Sequence, residues 1–249
     1  MAYNPMQLSG KTILITGASS GIGAAVAVEC AKLGAHCILT ARNEQRLRST
    51  LDRMEGDGHQ MIVTDLSTED AINSLVDQLP NLDGVAHCAG ISQLVPISFI
   101  NATKLDNILS ANTIAPILLT KQMVKKKRLN VSASLVYIAS ISGLNNYAPG
   151  VSMYGVSKSG LTAFAKYAAI ELSSKKIRCN TIHPGRINTP LIQSEKLSAD
   201  DIERDIAQYP LRRYGEPAEV AHAAAFLLSD AAAWITGTEL VIDGGRHLV

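Results

Sequence analysis

Short apolar runs that alternate with longer amphipathic segments constrain this chain more than any other feature. Residues 12–16, 37–40, 60–64, 84–88, 134–139, 177–182 and 239–242 have the apolar composition of buried strands. Between them lie helical patterns reaching about Leu33 and about Met54, a long segment at 104–128, and the helix that carries Tyr154. Strand and helix in regular alternation specify an α/β fold: one doubly wound parallel sheet of about seven strands, with helices on both faces. Such a sheet takes its ligand beyond the carboxyl ends of the strands, where the strand order reverses. With 249 residues, 47% of them hydrophobic, the chain is read as one domain over 1–249. The polar stretch at about 189–213, bounded by Pro190 and Pro210, reads as an excursion from that core and a candidate lid.

A glycine turn marks where the ligand would lie. Thr16-Gly17-Ala18-Ser19-Ser20-Gly21-Ile22-Gly23 follows directly on Ile13-Leu14-Ile15 and opens a helix. Glycines there let the backbone turn tightly and approach a pyrophosphate, whose charge meets the helix N-terminus. Gly17, Ser19, Ser20, Gly21, Ile22 and Gly23 are therefore candidate cofactor contacts.

Further along, Tyr154 and Lys158 stand four residues apart, so one helix face presents a phenol and an ammonium together. A tyrosine hydroxyl titrates near 10, so acid/base work at neutral pH needs a shift of about 3 units, or roughly 4 kcal/mol. A nearby cation acts in that direction by favouring the phenolate. Taken alone, the pair also fits a surface tyrosine beside a solvated lysine. Asn112 adds an independent hint. Pro116, four residues later, has no N–H, so within a helix the Asn112 carbonyl loses its ordinary partner and can hold a water.

Thr16 to Gly23, Asp65-Leu66, Ala89-Gly90, Asn112, Ser140, Tyr154 with Lys158, and Pro184-Gly185-Arg186-Ile187-Asn188-Thr189-Pro190 occur in an order that resembles the short-chain dehydrogenase/reductase family, in the compact branch that includes 3-oxoacyl-[acyl-carrier-protein] reductases. The resemblance covers nearly the whole chain. It implies a Rossmann-type fold and hydride transfer between a nicotinamide cofactor and a ketone or secondary alcohol, with 3-oxoacyl thioesters as one substrate class. It implies that Tyr154 gives or takes the proton, that Ser140 hydrogen-bonds the substrate oxygen, and that Lys158 lowers the tyrosine pKa while binding the nicotinamide ribose. Asn112 would hold a water that begins a proton relay, and Ser142 is the rival of Ser140. Cofactor contacts implied in the same way are Asp65, Leu66, Ala89 and Gly90, with Tyr154, Lys158, Pro184, Gly185, Ile187 and Thr189 toward the nicotinamide. Asp65 also reads as a helix N-cap before Ser67-Thr68-Glu69-Asp70. Cys88 stands where the family usually has asparagine, and Ile170 where carrier-using relatives often present an arginine. The cluster Lys125-Lys126-Lys127-Arg128 either solvates a helix end or partly replaces that arginine. Arg186 either orients an acidic substrate or is solvated.

An acidic residue that grips the ribose 2′-hydroxyl belongs at the end of the second strand. The chain has Thr40-Ala41-Arg42-Asn43 there. Ala41 carries no carboxylate to repel a 2′-phosphate and Arg42 can pair with one, which predicts NADP(H) over NAD(H). Leu94, Val95, Pro96, Leu144, Tyr147, Leu191 and Ile192 suggest an apolar substrate pocket. A net charge of +1 gives no field that would draw nucleic acid or an anionic membrane. The four cysteines have no C-x-x-C spacing, the histidines lack the spacing of a metal site, and there is no leader or membrane-span pattern, so a cytoplasmic protein is expected. The apolar segment 161–172 and residues 234–249 match surfaces that pair subunits in the family, which predicts a homotetramer. The alternative function is a non-catalytic NADP(H)-binding sensor or scaffold.

Overall fold

The computed structural model describes residues 4–193 and 198–249. Its strands are β1 (Thr12–Thr16), β2 (His36–Ala41), β3 (Gln60–Val63), β4 (Leu82–His87), β5 (Leu129–Ile138), β6 (Arg178–Pro184) and β7 (Glu239–Ile242). They form one parallel sheet in the order β3-β2-β1-β4-β5-β6-β7. The helices are α1 (Gly21–Lys32), α2 (Glu44–Leu51), α3 (Glu69–Gln78), α4 (Ala102–Leu109), α5 (Ala115–Lys125), α6 (Ser152–Glu171), α7 (Pro190–Gln193), α8 (Ala199–Ile206) and α9 (Pro217–Leu228). The first three strands run outward from β1 and the fourth returns to its other side, so the order reverses between β1 and β4.

The pleat of the strands sorts the core into two layers. Ile13 and Ile15 pack with Val26 and Ala27 of α1 and with Ala221 and Ala224 of α9. Leu14, between them, packs in the other layer with Ile72 of α3, Leu119 of α5 and Leu161 of α6. Small residues on α1 and α9 let those helices lie close against the sheet, and a fully apolar run such as Ile13-Leu14-Ile15 is what a strand covered on both faces requires.

Segment 104–128 is not one helix. It starts earlier, at Ala102, where the Asn101 side chain accepts the Lys104 N–H at 3.0 Å. Between α4 and α5, Ser110–Ile114 widens into a π-helical turn, and the Ala115 N–H reaches back to the Ser110 carbonyl. Pro116, just inside α5, supplies no N–H to the ordinary ladder, and the wider turn absorbs the break. β5 also starts earlier than expected. Leu129 pairs with Leu82, after which the register shifts, with Ser132 at a φ of +66°.

Lys125 occupies the last turn of α5, where a cation complements the helix dipole. Lys126 pairs with Asp77, and Arg128 donates to the Asp77 carbonyl at 3.1 Å. The Arg128 carbonyl takes the Leu82 N–H, so this cluster lies at the amino ends of the strands, opposite the end where a ligand belongs. Of segment 161–172, Leu161, Ala165, Ala168 and Ala169 are core, and Tyr167 and Ile170 are exposed.

Residues 194–197 of the excursion lie outside the described residues. Its α8 begins with a capping box between Ser198 and Asp201. Arg186 ties it down: its Nε pairs with Asp205 at 3.0 Å, and the Tyr214 hydroxyl donates to the same carboxylate at 2.7 Å. The backbone N–H of Arg186 donates to the Tyr209 hydroxyl at 3.1 Å. Arg186 is thus an anchor for α8 and its flank. Among the described residues, no helix is long and apolar enough to cross a membrane.

Candidate active site

A cleft of about 690 Å³ opens around the carboxyl ends of β1 to β4, a volume typical of small-molecule and cofactor sites. Gly17, Ser19, Ser20, Gly21, Ile22 and Gly23 line it, joined by Arg42 after β2, Asp65 and Leu66 after β3, Ala89 and Gly90 after β4, and Thr189. Gly17 has a φ of +66°, and a Cβ there would lie 2.8 Å from the Ala89 Cα, so the turns after β1 and β4 touch through it. Thr16 braces the same junction, its hydroxyl oxygen accepting the N–H groups of Cys88 and Ala89, each at 3.1 Å. This bracing needs nothing from the Cys88 side chain. α1 has Ser20 at its N-cap position, with no side-chain cap hydrogen bond and no acid in its first turn. Its N–H groups and positive end therefore stay available to an anion in the cleft.

Arg46 also lines the cleft, a residue the sequence reading passed over. It lies four positions beyond Arg42, across the N-cap Asn43, whose side chain accepts the Arg46 N–H at 2.9 Å. Both guanidinium groups are exposed, and neither forms an ion pair or side-chain hydrogen bond among the described residues. Asp65 is not the cap of α3. Thr68 is, accepting the Ala71 N–H at 3.2 Å, while Asp65 accepts the Ser67 N–H at 3.1 Å in a local turn.

The chemical end adjoins this cleft at Gly90, where a Cβ would lie 3.1 Å from Asn112 Oδ1 and 3.3 Å from Lys158 Nζ. Lys158 is buried, and its Nζ donates to the Ile138 carbonyl at 2.7 Å and lies 5.8 Å from the centre of the Tyr154 ring. Burial pulls the Lys158 ammonium down to about 8. Asn112 is fully buried. Its Oδ1 accepts the Ile91 N–H at 2.8 Å, and its Nδ2 donates to the Ile91 carbonyl at 2.9 Å and to Ser157 Oγ at 3.0 Å. Ser157 in turn donates to the Tyr154 carbonyl at 2.7 Å, so Asn112 clamps the loop after β4 onto α6 beside the tyrosine.

Ser140 is the second residue beyond β5, and its Oγ accepts the Ser142 N–H at 3.1 Å, leaving the hydroxyl proton to be donated elsewhere. A Cβ at Gly155 would lie 2.6 Å from the Ser142 carbonyl, and one at Gly143 2.7 Å from the Ser159 N. These two glycines bring the turn after Ser140 into contact with α6, on the stretch carrying Tyr154 and Lys158.

Toward the expected nicotinamide end, Pro184 closes β6 and the Gly185 N–H donates to the Ile242 carbonyl at 2.9 Å. Thr189 is buried and packs its methyl against Gly21. The Ile187 side chain faces the core beside Gly215, which leaves its backbone for any contact with a ligand. Val95 is not pocket lining, being buried with Ile108 and Met153, whereas Leu94, Tyr147 and Leu191 are exposed. His87 reaches the cleft with a buried ring stacked on Tyr137 at 4.6 Å, and burial pushes its imidazole down to about 3. The close glycine contacts, the uncapped helix start and two unpaired cations all fit a phosphorylated dinucleotide.

The chain as a whole is similar to known proteins. The family model described as enoyl-(acyl carrier protein) reductase matches residues 17–247. The 3-oxoacyl-[acyl-carrier-protein] reductase FabG of Rickettsia conorii is 34% identical, over 98% of this chain and 100% of that protein. A putative short-chain alcohol dehydrogenase from Sinorhizobium meliloti superposes with a TM-score of 0.89 at 30% identity, covering 98% of each chain. A putative 2-deoxy-D-gluconate 3-dehydrogenase from Agrobacterium tumefaciens, with bound NADP, gives 0.90 at 28% identity, covering 99% of this chain and 100% of that one.

Proposed function

Because the chain belongs to the short-chain dehydrogenase/reductase family and is an oxidoreductase of CH–OH and ketone groups, we propose that it uses NADP(H), with Tyr154 as acid and base. The observation that carries this reading is the pairing of Tyr154 with a buried Lys158, whose Nζ lies 5.8 Å from the ring, directly beside the glycine-lined cleft. When bound, the nicotinamide supplies the hydride that reduces the carbonyl carbon. Ser140 Oγ–H holds the carbonyl oxygen as negative charge develops there, and Tyr154 Oη gives that oxygen its proton. In the oxidative direction the same phenolate takes the proton back. Lys158, held by the Ile138 carbonyl, favours the phenolate and offers its remaining N–H donors to the ribose. Asn112 fixes the loop on which Gly90 approaches this lysine.

NADP(H) is preferred over NAD(H) in this reading because Arg42 and Arg46, which pair with no carboxylate among the described residues, supply guanidinium groups for a 2′-phosphate where Ala41 has no carboxylate. The NADP bound to the Agrobacterium neighbour supports the choice. A 3-oxoacyl thioester is the substrate class suggested by the Rickettsia relative's name. The family model's description would instead offer a carbon–carbon double bond. The roles proposed for Ser140 and Tyr154, one holding an oxygen and the other giving it a proton, favour the carbonyl.

NADPH consumption with acetoacetyl and crotonyl thioesters, ketosugars and steroids, with Tyr154→Phe alongside, tests the proposal. Tyrosine-dependent turnover of a carbonyl compound is expected. NADPH binding without turnover of any of them contradicts it in favour of a sensor or scaffold. We also propose a homotetramer in the cytoplasm, on the strength of Tyr167, Ile170 and a fully exposed Trp234 on the surface and of four free thiols, Cys30, Cys37 and Cys179 of them buried, that suit a reducing compartment. Light scattering in solution checks the assembly, and a monomer contradicts it.

A further inference from the structure

Ser140 leaves the sheet just where backbone pairing stops. Ile138 opposite Ile182 is the last register of β5 on β6, closed by the Ala139 N–H donating to the Ile182 carbonyl at 2.8 Å. One residue further, the Ser140 carbonyl is met by a side chain, Nδ1 of His183, at 3.0 Å. A carbonyl only accepts, so Nδ1 carries the proton. The other nitrogen, Nε2, lies 3.0 Å from the Thr181 hydroxyl, which is itself 3.1 Å from the Thr238 carbonyl. The imidazole is 0% exposed, so it is held in one orientation between β5 and the two strands beyond it. Burial keeps His183 below the usual imidazole range, which suits a neutral ring with one donor and one acceptor.

We infer that His183 is a positioning residue for Ser140, its Nδ1–H fixing the serine carbonyl and hence the direction in which Oγ–H is offered to the substrate oxygen. The inference rests on the role given to Ser140 above. Ser140 is then held at both of its oxygens: the carbonyl by His183, the hydroxyl oxygen by the Ser142 N–H at 3.1 Å. Removing the imidazole leaves the Ser140 carbonyl with only the Gly143 N–H, at 3.2 Å from within its own turn, and so unties the turn at Ile141–Gly143 from β6. Small displacements of a group that must meet a developing charge cost much of its effect.

The test uses NADPH-dependent reduction of an acetoacetyl thioester, NADPH fluorescence titration and thermal melting on four variants. His183→Asn places an amide N–H near the Nδ1 position, and His183→Gln places one near Nε2 instead. With Asn, kcat should stay within about 3-fold of the natural protein; with Gln it should fall at least ~10-fold, with the NADPH Kd unchanged in both. In a Ser140→Ala background, His183→Gln should cause no further loss, because the histidine acts through the serine. Equal kcat for Asn and Gln, or a full additional loss in the Ser140→Ala background, overturns the inference. Full turnover by Ser140→Ala alone overturns instead the assignment of Ser140 on which it rests.

Discussion

The two ends of the site are built by opposite means. The cofactor end is mostly backbone, with glycines that let two turns touch and an uncapped helix start, joined by two arginines with no ion-pair partner among the described residues. The chemical end is made of buried side chains that already hold one another, with Asn112, Ser157, Lys158, Ser140 and His183 each hydrogen-bonded to a carbonyl, an N–H or a hydroxyl. Binding a long, flexible, charged ligand needs space and unspent donors. Proton transfer needs a few atoms fixed within a fraction of an ångström. Lesions at the first end should therefore change affinity by degrees, and lesions at the second should remove turnover while the ligand still binds.

The largest expected effect is at the second end. Tyr154→Phe should lower kcat by roughly 10²–10⁴-fold, the range of a lost general acid, in steady-state assays; a loss under ~10-fold would assign the proton transfer elsewhere. Lys158→Met comes next, read through stability. Burial pulls the Lys158 ammonium down to about 8 in the folded state, against about 10.4 for an unperturbed lysine. Between these values the unfolded chain binds more protons, so the natural protein gains stability as pH rises, relative to the methionine variant, by up to about 3 kcal/mol. Paired denaturant titrations at neutral and alkaline pH would show it; a gap independent of pH would mean that the lysine is not held in a desolvated place.

At the first end, Gly17→Ala puts a Cβ 2.8 Å from the Ala89 Cα at a φ of +66°, and should weaken NADPH binding by roughly 10–100-fold and lower the melting temperature by several degrees, since the strain is present in the ligand-free fold as well. Undiminished affinity would show that the touching turns do not shape the site. Smallest, Arg42→Ala or Arg46→Ala should each raise the NADPH Kd about 10-fold and leave NADH unaffected, as expected for one charge-assisted contact. Equal weakening of both cofactors would assign these arginines to general attraction and not to the 2′-phosphate.

The sheet was legible because a parallel strand buried on both faces must be a short apolar run, as in Ile13-Leu14-Ile15. The start of β5 was hidden because Asn130, Val131 and Ser132 do not look like a strand and lie where the register shifts, between the Leu82–Leu129 and Gly84–Ser134 pairs. The break in segment 104–128 was half visible. Pro116 announced a lost donor, but the π-helical answer depends on how α4 and α5 pack. Gly17 stood out because a strand-to-helix turn calls for glycine, and Tyr154 and Lys158 because their one-turn spacing stands within an ordered set of motifs. Arg46 and His183 did not, since an arginine on a helix and a histidine in a strand acquire meaning only from the cleft and the serine carbonyl that tertiary contacts bring to them. Arg186 shows the converse: a charge beside the site that Asp205 takes up.

The separation of binding from chemistry is tested most directly by titrating Tyr154→Phe with NADPH by fluorescence and following the same samples for reduction of an acetoacetyl thioester. The account predicts a Kd equal to that of the natural protein and turnover reduced at least ~100-fold. Retained turnover, or a Kd that worsens in step with kcat, would contradict it.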